Sequence, residues 1–433
     1  MSLQRIKTFD LGLAWGGNSV NALLFSQNLV SRHDFQYAAF YSPEKKLVIV
    51  QRNLKQNQIT STVIDHVPTL NDAHFSISLG IDRKGFLHIS YAQHMSQLVY
   101  RRTSKPHRPE TFGPIQPMTG HLEKPVTYPF FLFPNQDDGD NFFFIYRRGG
   151  SDYGEVLIKV YDIQAQTWSD LPNAILTGMT QKPWTSGPYL QRPILDQKGN
   201  IHFLNTWRTH SIGDAKRINN INLDYLTSPD GGKNWYTSTG QPLQLPVTQV
   251  NSETIVPIGP GANLMNQSGA TLDHHGHPLS VYYANNSAGV PQYQLIRHQP
   301  ASKSPGLQSH SKWVNTLVSH RTQPFNLEGI GTLKVPISRP DVVVLPDNTP
   351  MMIYRSEETQ QCLVAKVLST NTDTTDYPLS PPVGDAEPVI DHHRWQRDGV
   401  LSMLIQHCEQ GHQEGYPPQI ASPISIAEWQ YIS

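Results

Sequence analysis

A polar turn followed by an alternating apolar strand recurs along the chain, and this repeat restricts the possible fold more than any other feature. The instances are SPEKKLVIVQR (42–52), DRKGFLHISYA (82–92), DDGDNFFFIYRR (137–148) and DQKGNIHFLNTWR (196–208). DHHGHPLSVYYA (273–284), LPDNTPMMIYRS (345–356) and QRDGVLSMLIQHC (396–408) follow. Most offer Asp, Asn or Gly where a hairpin bends, then side chains that alternate between two strand faces. One such hairpin cannot bury its apolar face alone, but radial stacking of several can. Seven units predict an all-β chain folded as a seven-bladed β-propeller. The 18 Tyr, 15 Phe and 8 Trp suit strands, and the 30 Gly and 34 Pro suit turns. No helical domain or linker breaks the 433 residues, so residues 1–433 read as one domain. The last segment, PISIAEWQYIS (423–433), is strand-like and is expected to pair with the N-terminal strand and close the ring.

The formal net charge is −1, so no overall basic field draws the chain to nucleic acid or to an anionic membrane. Any anionic ligand must be held by local arginines. Cys362 and Cys408 are the two cysteines, and neither lies in a CxxC pair. No apolar run of about 18–20 residues is present. The start, MSLQRIKTFDLGLAWGG, lacks a charged segment followed by an apolar one and a cleavage site. The protein is expected in the cytoplasm if the chain is whole, and outside the cell or in the periplasm if a signal has been removed. A monomer is expected.

Three successive hairpins carry chemistry at their open ends. If Ile81 faces Phe86 across the turn Asp82–Gly85, His74 lies opposite Gln93 with His94 one residue further on. Strict alternation would put the two histidines on opposite faces, unless a bulge or an exit from the ladder brings them together. His88, in mid-strand, reads as structural. Pairing Phe133 with Phe142 sets Tyr128 opposite Arg147, and pairing Leu195 with Asn200 brings Tyr189 and Arg208 to one end. Equivalent strand ends of a propeller share a face, so these six side chains are expected around one depression.

At these residues the sequence resembles the BNR-4 group of propellers, and within it the ulvan lyases of polysaccharide lyase families 25 and 24. The segments that carry the resemblance are DAHFSISLGIDRKGFLHISYAQHMSQLVYRR, TYPFFLFP with FFFIYRRGGSDYGEVLIKVYD, GPYLQRPILDQKGNIHFLNTWR and SPDGGKNW, within residues 10–300. The last contains Ser228-x-Asp230-x-Gly232-x-x-Trp235, the Asp-box pattern of a turn between outer blade strands. The resemblance implies an anionic polysaccharide substrate, cleaved by β-elimination at a uronate to leave an unsaturated end. It implies His74, His94, Tyr128 and Arg147 as catalytic residues, and Tyr189 and Arg208 as substrate-binding ones.

That chemistry suits these residue types. An arginine forked onto the uronate carboxylate offsets the second negative charge that develops as C5 loses its proton, which favours Arg147. Neutral histidine is a base suited to neutral pH, which favours His74, with His94 positioning substrate or sharing the proton transfer. The Tyr128 phenol can deliver a proton to the leaving oxygen, Tyr189 can hydrogen-bond the reacting sugar, and Arg208 can hold carboxylate or sulfate. The elimination requires no organic or redox cofactor.

Two departures from the family pattern stand out. The family stretch after WR carries a His and a Cys that contribute to a bound zinc, whereas NINLDYL here has Ile221 and Asp224 at those places. A structural zinc or calcium is therefore expected to need other ligands, the candidates being His210, DHHGH (273–277), DHH (391–393) and HCEQGH (407–412). Phe75 also replaces the family's Asn after the first histidine. Three other readings compete: a rhamnose–glucuronate-cleaving enzyme on the same scaffold, a sialidase drawing on Arg147, Arg208, Arg339 and Arg355, and a non-catalytic glycan-binding propeller.

Overall fold

Among the described residues, antiparallel strands make up nearly all the regular structure, and the one α-helix is the seven-residue His392–Asp398. The structure, a computed structural model, describes residues 2–135, 139–301, 311–329, 331–369, 376–411 and 418–432. Part of the turn in the third repeat (136–138) and His412 lie outside the described residues. No helix among the described residues is long and apolar enough to cross a membrane.

The strands fall into seven sheets in chain order, and the fold is an all-β propeller. The first strands of these sheets are Leu29–Arg32, Ser78–Ile81, Val126–Leu132, Gly187–Leu190, Ala270–Leu272, Asp341–Val344 and Val389–Ile390. Most are buried on both faces, because neighbouring first strands pack on one another around the axis. Outer strands such as Ile59–His66 instead alternate partly buried and exposed residues. Polar side chains stitch the inner strands together: Gln27 donates to the Phe131 carbonyl at 2.7 Å and accepts from Ser78 Oγ at 2.9 Å.

Six sheets contain four or more strands, but the second has only Ser78–Ile81, Leu87–Ser90 and Tyr100–Arg102. Of the seven blades expected, six are thus full among the described residues and one is a three-stranded sheet. Pro106, Pro109, Pro114 and Pro117 occupy the stretch where a fourth strand would run, and proline has no N–H to offer a ladder. At the other end of the ring, Ser2–Trp15 runs antiparallel along Ala421–Ile432, from Ser2 opposite Ile432 to Trp15 opposite Ala421. The N-terminal strand is therefore the outermost strand of the last sheet, and it covers an edge that would otherwise be open.

Candidate functional site

Several polar and aromatic side chains gather on the face where the inner strands begin. Phe25, His74, Tyr128, Tyr189, Gln267 and Arg339 all lie at, or a few residues before, the start of an inner strand.

His74 and His94 come together through a change of register. The pairs are Ser78 with Ser90 and Ile81 with Leu87, so Ile81 does not face Phe86. Gly85 adopts a left-handed φ of 83°, which lets Asp82 bond across to Phe86 (N to O, 3.1 Å) and lengthens the turn by one residue. Continued along this register, His74 points toward His94 rather than Gln93. The ladder stops at Ser78 and Ser90, and left-handed Ala92 and Met95 (φ 52° and 51°) bend the chain on either side of His94. The imidazoles stack with centroids 4.2 Å apart and planes 22° from parallel.

Asp72 links the two rings. Its Oδ1 lies 2.8 Å from His74 Nδ1 and its Oδ2 2.5 Å from His94 Nδ1. The carboxylate is buried, which opposes ionisation, yet the two imidazoles hold its pKa well below the usual carboxylate range. An ionised carboxylate only accepts, so each Nδ1 carries a proton, and Nε2 is the nitrogen at which either ring can give or take one. Thr332 Oγ1 lies 3.4 Å from His74 Nδ1.

Tyr128 sits on a bulge. Phe143–Leu132 and Ile145–Phe130 pair in the expected register, but Arg147 then pairs with Thr127, so Tyr128 is not directly opposite Arg147. Tyr128 and Pro129 together face one residue, Tyr146, and Tyr128 takes a left-handed φ of 57°. A bulky residue held there is strained, and the bulge aims its ring at the axis. Tyr128 packs 5.9 Å from the His74 ring and 5.7 Å from the Tyr189 ring. Burial pushes its phenol pKa well up, so it stays protonated at neutral pH.

Tyr189 lies between two guanidinium groups, Arg147 and Arg208, each 4.5 Å from its ring centre. Burial works against its ionisation, but these two charges outweigh burial and lower its pKa. Arg208 is oriented by Asn220 Oδ1 at 2.9 Å and Asn266 Oδ1 at 2.5 Å. Arg147 is buried, and its Nε and Nη1 have no hydrogen-bond partner among the described residues. Tyr189 pairs with Thr206 and Arg208 with Gly187, which is the expected register at this end. At the turn Leu195 pairs with Ile201 rather than Asn200, because the Gln191–Pro193 bulge shifts the ladder by one.

Three further side chains complete the group. Phe25 stacks at 5.9 Å on His74 and meets Tyr128 edge-on at 5.1 Å. Arg339 lies 4.8 Å over Phe25, and its Nε bonds both Glu387 oxygens at 2.8 and 2.9 Å. Asp72 and Phe25 escaped the sequence reading, although Asp-x-His before a strand hinted at an oriented imidazole. Arg355 is bound to the Ala386 carbonyl and Gln361, whereas Arg147, Arg208 and Arg339 all lie near enough to act on Tyr128. His88 is fully buried in an aromatic cluster and bonds Tyr100 at 2.8 Å.

The positions of the family zinc do not fit a metal. Ile221 packs in an apolar cluster, and Asp224 accepts from Trp207 Nε1 (2.6 Å), Ser252 Oγ (2.6 Å) and Thr254 Oγ1 (2.8 Å). The other metal candidates are each partnered locally. His210 meets Ser151, His277 meets Asp273, His392 meets Asp341 and His407 meets Glu409. Among the described residues, Asp72, His74 and His94 alone bring three ligand atoms within 4.8 Å of one another, and both Asp72 oxygens are already engaged. In the Ser228–Trp235 turn, Gly232 N donates to Ser228 Oγ at 2.9 Å and Trp235 Nε1 to the Gly232 carbonyl at 2.9 Å.

Residues 35–304 match the family model described as BNR repeat-containing family member. No curated protein sequence matches the chain at a significant level. Among solved structures, the polysaccharide lyase Uly1 superposes with a TM-score of 0.70 at 12% identity, covering 98% of this chain and 99% of that one. A PL25 ulvan lyase superposes with a TM-score of 0.62 at 15% identity, covering 84% of this chain and 83% of that one. A PL25 ulvan lyase bound to -[GlcA(1-4)Rha3S]- gives 0.62 at 14% identity over the same shares. At these identities the likeness is one of fold.

Proposed function

The chain belongs to the BNR repeat-containing family, and from that premise we propose that it is a polysaccharide lyase acting on a uronate-containing polysaccharide by β-elimination. The substrate we favour is a sulfated, ulvan-like rhamnose–uronate polymer. The observation that carries the reading is the Arg147–Tyr189–Arg208 stack facing Tyr128 and the paired histidines, which puts positive charge, a base and an acid on one face.

The uronate carboxylate lies against the Arg147 guanidinium, which borders the Tyr128 and Tyr189 rings. His74, its Nδ1 proton held by Asp72, takes the C5 proton on Nε2. The electron pair left at C5 is delocalised into the carboxylate beside the guanidinium, then forms the C4–C5 double bond as the C4–oxygen bond breaks. Tyr128, kept protonated by burial, gives its proton to the departing oxygen. His94 shares the Asp72 carboxylate and positions the sugar, Tyr189 hydrogen-bonds it, and Arg208 takes a further anionic group. The reaction neither gains nor loses electrons overall, so no redox cofactor enters the proposal.

The test is incubation with uronate-containing polysaccharides, sulfated and unsulfated, followed by the ultraviolet absorbance of the new conjugated double bond. Release of free rhamnose without that absorbance would instead support hydrolysis on the same scaffold.

A further inference from the structure

Beneath the Tyr128–Tyr189 pair an open cavity runs into the molecule along the inner strands. The chemistry of its wall is one-sided. Arg147, Gln191, Arg192 and Gln267 line it together with apolar and tyrosine side chains, and no Asp or Glu does.

Gln191 and Arg192 reach it because their strand is broken. Leu190 pairs with Asn205 and Ile194 with His202, so three residues, Gln191 to Pro193, face two. Pro193 gives no ladder donor there, and the bulge turns consecutive side chains toward the axis. Gln191 is 1% exposed; its Oε1 accepts from the Ser268 amide, while its Nε2 has no partner among the described residues.

Arg192 lies deep in the molecule but keeps some exposed surface, because that surface faces the cavity. Its guanidinium rests 5.4 Å over Phe130 and makes no side-chain hydrogen bond or ion pair among the described residues. Asp341 and Asp391 are near enough to act on it electrostatically, but both are committed elsewhere. Asp341 holds His392 at 2.8 Å, while Asp391 accepts from Ser31 at 2.6 Å and Gln36 at 2.8 Å. Leaving a deep cation and an amide donor without partners is costly unless something fills the space. A second cavity shares Phe130, Arg192 and Pro193 with the first, so Arg192 stands where the two meet.

We propose that this cavity is an oxyanion subsite for one sugar unit, with Arg192 and the Gln191 amide gripping its carboxylate or sulfate group. The grip by Arg192 and Gln191 is additional to the one assigned to Arg147, which lines the same cavity, and it rests on the reading that the face above takes an anionic saccharide. A saccharide lying across Tyr128 and Tyr189 would lower one substituent or end unit into the cavity.

Calorimetric titration of the whole chain with glucuronate and with inorganic sulfate tests the subsite and separates the two sources of the anion. Wild type is expected to bind at least one of them. Arg192→Gln is expected to weaken that binding by on the order of tenfold or more, and Gln191→Leu by less. Arg192→Lys keeps the charge but loses the fork, so it is expected to fall between and serves if Arg192→Gln does not fold. Unchanged binding in the Arg192 variants, or no binding of either anion to wild type, overturns the subsite. If Arg192-dependent binding is found without any lyase activity, the subsite stands and the lyase reading falls. If lyase activity is found with binding indifferent to Arg192, the subsite falls alone.

Discussion

Asp72 shows how one carboxylate can organise a site. By accepting from both Nδ1 atoms it fixes the tautomer and plane of two imidazoles at once. Because its folded pKa is held down, the stabilisation it gives is complete above the unfolded value of about 4 and is lost as pH falls below it. Asp72→Asn is therefore expected to lower the melting temperature near pH 7, and the gap to wild type should begin to narrow by about pH 3. Melting curves at both pH values check this. For Tyr128 the expectation concerns rate: Tyr128→Phe removes the proton donor and is expected to cut turnover by about 10²–10⁴-fold, with polysaccharide binding retained. Steady-state kinetics alongside affinity electrophoresis would separate the two effects. The sequence already pointed to both histidines, both tyrosines and both arginines. It did not point to Asp72, because a carboxylate two residues before a histidine carries no repeat signal, and the hydrogen bond to His94 spans 22 positions.

At the scale of the hairpin, one-residue shifts decide which side chains meet. Alternation and turn composition located the strands, but the left-handed Gly85 and the bulges at Tyr128 and at Gln191–Pro193 moved the register by one. Such shifts are illegible in a single sequence, since a turn with or without one extra residue presents the same pattern. A side chain at Gly85 meets two obstacles, the positive φ and the ring of His107, which a Cβ would strike. Gly85→Ala is expected to destabilise the protein by about 1–3 kcal/mol. It should also lower lyase turnover, because the hairpin carries His74 and His94 at its open end. Denaturant titration and the kinetic assay would show whether the two losses come together.

Over the whole molecule, the ring is completed by chain ends 406 residues or more apart in sequence, Trp15 pairing with Ala421. The propeller class was readable because its repeat is local. The short second sheet was not, because its missing strand follows from scattered prolines rather than from any break in the hairpin pattern. Deleting Ser2–Trp15 bares the edge of Ala421–Ile432 and is expected to lower the melting temperature and broaden the transition, as seen by calorimetry. The site draws on the first three inner strands, the fourth and the loop leading to the sixth, so it depends on the ring staying closed.

The most direct measurement of the central claim is the formation of unsaturated uronate ends from a uronate polysaccharide by wild type and by His74→Ala. The account predicts double-bond absorbance with wild type and a loss of about 10²–10⁴-fold in the variant while both still bind the polymer. Equal product from the two proteins, or none from wild type across sulfated and unsulfated uronate polymers, would contradict it.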